Sequence, residues 1–135
     1  MVSETTTPPY AAITVVELKR PMRSGDSGEK DDPVQQALDY LHRVRTGKVT
    51  TADGRPIPNA EIIPGFCYVI CDITPFVKDR CLINHDLNIT SDGMGFFGYK
   101  KHLNAYVEVI SYDRLVKAAM ERNRAFFDKL GLPAS

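Results

Sequence analysis

Two charged side chains of opposite sign lie two positions apart at the end of a short apolar run. Residues 13–16 are Ile, Thr, Val and Val, a β-branched run typical of a buried strand, and Glu17 and Lys19 follow it. Because side chains alternate between the two faces of a strand, we expect Glu17 and Lys19 on the same side, about 6–7 Å apart along the strand. Burying a carboxylate and an ammonium is costly unless they have a partner or a function. The pair is therefore either a structural ion pair at a sheet edge or part of a reactive site.

The residues around this pair resemble a family of nucleases. The stretch VVELKRP at 15–21, followed by DDPVQQALDYL at 31–41, is similar to the PD-(D/E)xK nuclease superfamily, and most of all to the restriction-endonuclease-like domains of Shedu-type bacterial defence nucleases. In that family an E-x-K strand is followed by a loop and by a helix that carries a Gln near its start. The resemblance covers Ile13 to about Leu41.

The resemblance implies a Mg²⁺-dependent DNA endonuclease, with antiphage defence as its setting. Glu17 would bind the metal, and the main-chain carbonyl of Leu18 would be a further ligand, because Mg²⁺ prefers oxygen ligands and takes few protein carboxylates. Lys19 would orient the nucleophile or stabilise charge on the phosphate. Gln36 would hold a metal-bound water or a phosphate oxygen. An exposed polar position on a helix explains Gln36 equally well.

One residue of the family's site has no counterpart. The superfamily places a second carboxylate, usually Asp, on the strand before E-x-K, but only Glu4 precedes Glu17 here, in a polar stretch ahead of Pro8 and Pro9. A chain that begins within the fold would explain this, so we expect the C-terminal part of a longer nuclease-like domain, with little activity alone. The alternative is a catalytically inactive module of the same fold that binds nucleic acid or protein.

Alternating strand and helix signals predict the elements that position these residues. Asp32 and Pro33 are typical of a helix start, and apolar residues at helical spacing continue to about Arg45. The apolar run Phe66–Ile73 is typical of a central strand covered on both faces. The next predicted elements are a helix capped by Thr74 that runs to about Asn84, a short strand at Asn88–Thr90, and strands at Met94–Tyr99 and Tyr106–Ser111. A last helix is predicted with Asp113 as its cap and Gly131 at its end. Its apolar residues on one stripe are Leu115, Ala119, Phe126 and Leu130.

This order of elements predicts an α/β fold, a mixed sheet flanked by helices, which agrees with a restriction-endonuclease-like core. The strands Ile13–Lys19 and Phe66–Ile73 should be parallel neighbours, with the helix Pro33–Arg45 packed on them. At 135 residues the chain is expected to form a single domain over 1–135.

Composition limits the partners and the compartment. The 17 acidic and 17 basic residues cancel, which neither supports nor excludes DNA as a partner. No apolar run approaches the roughly 18 residues of a membrane span. Residues 1–10 lack the features of a signal peptide, and the three cysteines are typical of reduced core residues in a cytoplasmic protein. An upstream domain or a second copy is a further expected partner.

Basic residues near the first strand and helix are candidates for contacts with a phosphate backbone, although a solvated helix face explains Arg43 and Arg45 equally well. Asp72 is an extra carboxylate near the carboxyl ends of the strands, or a helix cap. The basic candidates are Arg20, Arg23, Arg43, Arg45 and Lys48.

Overall fold

The computed structural model describes residues 12–20 and 32–131, which form an α/β fold with a five-stranded mixed sheet flanked by helices. The polar stretch that contains Glu4 and the basic candidate Arg23 lie outside the described residues. The elements are β1 (Ile13–Leu18), α1 (Pro33–Arg45), β2 (Gly65–Cys71), α2 (Pro75–Asp79) continued by a π-helical turn (Arg80–Asn84), β3 (Asn88–Ile89), β4 (Gly95–Lys100), a 3₁₀ turn (Lys101–Leu103), β5 (Ala105–Ser111) and α3 (Tyr112–Leu130).

The strand order across the sheet is β1-β2-β5-β4-β3. β1, β2 and β5 are parallel, whereas β4 runs antiparallel to β5 and β3 antiparallel to β4. Ile13 pairs with Gly65 and Leu18 with Ile70, so the predicted pairing of the first two long strands is confirmed. The carboxyl ends of the three parallel strands meet at one edge of the sheet, called here the carboxyl edge.

Helix α1 begins and packs as the sequence predicts. A carboxylate oxygen of Asp32 accepts hydrogen bonds from the main-chain nitrogens of Val34 at 3.1 Å and Gln35 at 3.0 Å, and Pro33 occupies the first turn, where no donor is needed. A Cβ on Gly65 would lie 2.8 Å from a methyl group of Leu41, so the absence of a side chain at 65 lets the helix approach β2 closely.

The core lies between these helices and one face of the sheet, called here the covered face. Alternate residues of each long strand point into it and are buried, as the period of a strand requires. They are Ile13 and Val15 of β1, Cys67, Val69 and Cys71 of β2, Val107 and Val109 of β5, and Phe96 of β4.

The opposite face, called here the open face, is partly or fully exposed. In the described part of the chain no helix packs on it, because α1 packs on the covered face and α3 has no buried residue. The prediction that β2 is covered on both faces is therefore wrong for Phe66, Tyr68 and Ile70, which are only half-buried. The residues of the open face are Thr14, Val16, Leu18, Phe66, Tyr68, Ile70, Phe97, Tyr99, Tyr106, Glu108 and Ile110.

Helix α3 starts earlier than the sequence predicts. Ser111, and not Asp113, is its N-cap: the Ser111 hydroxyl accepts from the Arg114 main-chain nitrogen at 3.1 Å. Gly131 ends the helix with a φ of 74°, as expected for a glycine cap. Of the predicted apolar stripe, Leu115, Phe126 and Leu130 are exposed and Ala119 is half-buried. Of the helices described, none has the length and hydropathy required to cross a bilayer.

Candidate functional site

Glu17 and Lys19 lie side by side at the carboxyl edge. Lys19 Nζ is 3.5 Å from Glu17 Oε1, and the two side chains are 31% and 28% exposed. Both follow Val15 on the covered side of β1, so the prediction from strand alternation that they share one side holds. A pair that is half-buried yet open to solvent has little value for stability, and both groups remain accessible to a ligand.

The carbonyl of Leu18 is directed away from β2. The main-chain nitrogen of Ile13 donates to the carbonyl of Pro64, and that of Lys19 donates to the carbonyl of Ile70, each at 2.9 Å. The odd-numbered residues of β1 therefore form the hydrogen bonds to β2. In a parallel ladder the peptide groups of the alternate residues, including Leu18, then face the outer edge of β1. In the described residues no strand pairs with that edge. The Leu18 oxygen and the Glu17 carboxylate are therefore on the same end of one edge strand.

Gln36 lies at the same end of the sheet. Helix α1 connects the carboxyl end of β1 to the amino end of β2 and packs on both strands, which places its first turn at the carboxyl edge. The side chain of Gln36 is half-buried, while neighbouring Gln35 is exposed and donates to Asp39 Oδ1 at 2.8 Å. Of the two amides, Gln36 is thus the one directed toward the protein.

A His–Asp pair lies at the start of α1, and no motif in the sequence indicates it. His85 is 7% exposed and its Nε2 lies 2.8 Å from the Asp32 carboxylate oxygen that does not cap the helix. The two residues are 53 positions apart. His85 follows the π-helical turn, so this contact ties that turn to α1 beside the candidate site.

The end of β1 is also tied to α3. The Tyr112 hydroxyl donates a hydrogen bond to the main-chain carbonyl of Lys19, across 93 positions of sequence. Asp72, directly after β2, is half-buried at the same edge. Thr74, and not Asp72, caps α2 by accepting from the Val77 nitrogen at 3.2 Å, as the sequence predicts.

The thiols beneath this edge are not reactive groups. Burial raises the pKa of Cys71 to about 11, with a smaller upward effect of Asp72 and a downward effect of the Lys19 ammonium. Burial likewise raises the pKa of Cys81 to about 12. Both thiols therefore stay protonated at neutral pH, so neither supplies a thiolate nucleophile.

Arg45 does not belong to a phosphate-binding surface, so that prediction is wrong for this residue. Its guanidinium donates to the main-chain carbonyls of Ile63 at 3.1 Å and Asn104 at 3.0 Å, and to that of Leu103. Burial lowers its pKa from the usual value, but the group stays charged. Arg45 therefore clamps the segments that enter β2 and β5.

The other described basic candidates remain accessible. Arg20 and Lys48 are exposed, and the exposed Arg43 stacks over the ring of Tyr40 with its guanidinium carbon 5.7 Å from the ring centre. Tyr40 itself is exposed and does not belong to the core.

An apolar hollow of about 290 Å³ lies at the amino end of β1, opposite the carboxyl edge. Its described lining is Ala12, Ile13, Thr51, Ala52 and Ile57, none of which is ionisable. In the ranges 12–20 and 32–131 there is also no group of three or more His, Cys, Asp or Glu residues placed to hold a metal ion.

Comparisons of the chain with protein-family models, with curated proteins and with solved structures find no match.

Proposed function

We propose that this chain carries a PD-(D/E)xK-type, Mg²⁺-dependent nuclease site built on Glu17 and Lys19 in a restriction-endonuclease-like core. The observation that carries the proposal is the placement of these two residues. Their carboxylate and ammonium groups lie 3.5 Å apart and are partly exposed. They lie at the carboxyl end of β1, which α1 connects to the parallel strand β2. Ligands of open α/β sheets gather at that end of the strands.

The oxygen donors present fit part of a Mg²⁺ site. Glu17 and the outward carbonyl of Leu18 supply hard oxygen ligands, and Mg²⁺ is commonly held by one or two carboxylates with waters completing its shell. When bound, the cation would lower the pKa of a bound water that serves as the nucleophile and would neutralise charge on the phosphate. We propose that a further carboxylate arrives on a strand that pairs with the outer edge of β1.

The remaining residues act on the phosphodiester. The Lys19 ammonium, held beside Glu17, donates hydrogen bonds to a phosphate oxygen where negative charge develops. The Gln36 amide binds a water or a second phosphate oxygen. Arg20 and Lys48, both exposed, contact the DNA backbone. The free thiols of Cys67, Cys71 and Cys81 support a reducing, cytoplasmic setting.

In a parent protein whose further carboxylate completes the site, the test compares Glu17→Gln and Lys19→Ala with two matched controls, Glu61→Gln and Lys78→Ala, which make the same changes at exposed positions elsewhere. Nicking of supercoiled plasmid with Mg²⁺ measures turnover, and fluorescence anisotropy of labelled DNA measures affinity. We expect the site variants to lose at least about 10²-fold in cleavage rate with affinity nearly unchanged, because both groups act on the transition state. Undiminished cleavage by either site variant would refute its role.

A catalytically inactive module of the same fold, binding nucleic acid or protein, is the second candidate. The observation that favours it is the lack, in the described part of the chain, of three metal-ligating side chains in one group. In its nucleic-acid-binding form, this candidate predicts affinity for DNA without cleavage. That affinity should depend neither on Mg²⁺ nor on Glu17, so Glu17→Gln should leave it unchanged.

A further inference from the structure

Helix α3 presents an apolar stripe to solvent. Its large apolar side chains include two pairs four residues apart, Val116 with Met120 and Phe126 with Leu130, and together they cover one broad face of the helix. They are 39% to 62% exposed, and no residue of this 19-residue helix is buried. An amphipathic helix draws most of its stability from packing of its apolar face. The stripe consists of Leu115, Val116, Met120, Phe126 and Leu130.

The open face of the sheet is a second unpartnered apolar surface. Val16, Leu18, Phe97 and Tyr99 on it are 39% to 63% exposed. The strand register aligns them with half-buried Tyr68 and other central residues, so they form one continuous surface. The apolar run of β2 is typical of a strand covered on both faces, and the described chain covers only one.

The stripe cannot reach the open face of its own chain. β5 ends at Ser111 and α3 begins at Tyr112, with no loop between them. Returning a helix across its own strand takes a connection of about 2–6 residues. The first turn is also held in place, by the Tyr112 hydrogen bond to Lys19 and by Arg114, whose Nη1 lies 3.4 Å from Asp92 Oδ2.

We propose that this chain forms a two-fold symmetric dimer in which α3 of each copy packs its apolar stripe across the open face of the other copy. A reciprocal exchange covers both apolar surfaces on both chains and closes after two subunits. It is independent of the proposed nuclease site, because Glu17 and Lys19 lie on the covered side of β1.

The area available agrees with a stable dimer. At about 100 Å² for each large, half-exposed apolar side chain, the stripe offers about 500 Å² and the open face about 400 Å². Reciprocal packing then buries about 900 Å² per copy, or about 1,800 Å² in total, within the range of specific interfaces. Pairing the two stripes alone would bury only about 1,000 Å² and would leave both open faces uncovered.

Charge on the two surfaces is complementary. Glu108 lies in the middle row of the open face, where it accepts a hydrogen bond from the Tyr106 hydroxyl at 2.8 Å. Arg122 flanks the stripe four residues before Phe126, close to the midpoint of α3. Centring the helix on the partner's sheet brings Arg122 toward Glu108, where a docked carboxylate needs a cation. The aromatic side chains of this face could also stack on bases, but the strand positions of the face hold an acid and no Lys or Arg, which disfavours a phosphate backbone.

The oligomeric state of the full chain tests the proposal. Sedimentation velocity from low to high micromolar concentration is expected to give twice the 15.1 kDa chain mass. Phe126→Glu on the stripe and Tyr99→Glu on the open face should each give a monomer. Ile83→Glu is the matched control, since Ile83 is 76% exposed outside both surfaces, and it should remain a dimer. Circular dichroism confirms that each variant is folded.

A charge exchange tests the arrangement. Glu108→Arg and Arg122→Glu should each give a monomer when alone. In either variant, residue 108 of one copy would face a residue 122 of the same charge on the other copy. An equimolar mixture should form a heterodimer, since both contacts then join opposite charges. A monomeric wild-type chain would overturn the proposal. So would a dimer that survives Tyr99→Glu but not Phe126→Glu, which would indicate pairing of the stripes alone. A monomer whose Tyr99→Glu variant loses affinity for single-stranded nucleic acid would show that the open face binds bases instead.

Discussion

Replacing Arg45 with Gln is expected to destabilise the protein by about 3 kcal/mol. The guanidinium donates to three main-chain carbonyls, of Ile63, Leu103 and Asn104, and each such bond contributes about 1 kcal/mol net. A Gln side chain is too short to reach both segments, so those carbonyls lose their donor. The buried Nε of Arg45 has no hydrogen-bond partner in the described structure. Because an unpaired buried donor is unfavourable, its removal offsets a small part of the lost stability.

Urea denaturation followed by circular dichroism measures the free energy of unfolding, and a loss of about 3 kcal/mol corresponds to a melting temperature about 10 °C lower. Arg43→Gln is the matched control, because Arg43 sits two residues earlier on the exposed side of α1 and contacts only the ring of Tyr40 in the described structure. It should cost about 0.5 kcal/mol. If the two substitutions lowered the free energy of unfolding equally, the clamp would be refuted, and Arg45 would be a solvated residue of the helix surface.

Three further predictions follow from contacts beside the sheet. In a double-mutant cycle followed by urea unfolding, Asp32→Ala and His85→Ala should show a coupling free energy of about 1–2 kcal/mol, because the two side chains are in contact at 2.8 Å. A coupling near zero would show that this contact does not stabilise the fold. Gly95→Ala should lower the free energy of unfolding by at least about 3 kcal/mol, because the new Cβ would lie 2.5 Å from the main-chain oxygen of Val109. Gly98→Ala should lower it by about 1 kcal/mol, because its Cβ would lie 2.9 Å from the movable end of the Leu87 side chain. The reverse order would contradict this packing. The three buried thiols have pKa values of about 11 to 12 in the folded protein against 9.0 when exposed, so their contribution to stability is complete below pH 9 and is lost as the pH rises toward 11 and above. Unfolding measured across that range should show stability falling with pH, and a flat profile would show that the thiols are solvated.

Local signals predicted most of the fold. The β-branched start of β1, the Asp32–Pro33 cap and the apolar run of β2 each depend on neighbouring residues, and the parallel pairing of β1 with β2 follows from the helix between them. The cap of α3 was misplaced, because Ser111 and Asp113 are both good caps and only the end of β5 decides between them.

Interactions between distant segments could not be predicted. Arg45 in the last turn of a helix is equally typical of a solvated residue, and its acceptors Ile63 and Asn104 lie 18 and 59 positions away. The partner of Asp32, His85, is similarly distant and has no motif around it. For the candidate site, strand alternation placed Glu17 and Lys19 together, because a period of two is a property of the strand itself.

The measurement that tests the central claim most directly is Mn²⁺ titration of the ¹⁵N-labelled full chain followed by NMR. Mn²⁺ takes the same oxygen ligands as Mg²⁺ and broadens amide signals of nearby residues. The proposed site predicts broadening first at Glu17, Leu18 and Lys19, its reversal by excess Mg²⁺, and its loss in Glu17→Gln but not in Glu61→Gln. Broadening centred elsewhere, or unchanged by Glu17→Gln, would contradict the assignment of a metal site to the carboxyl end of β1.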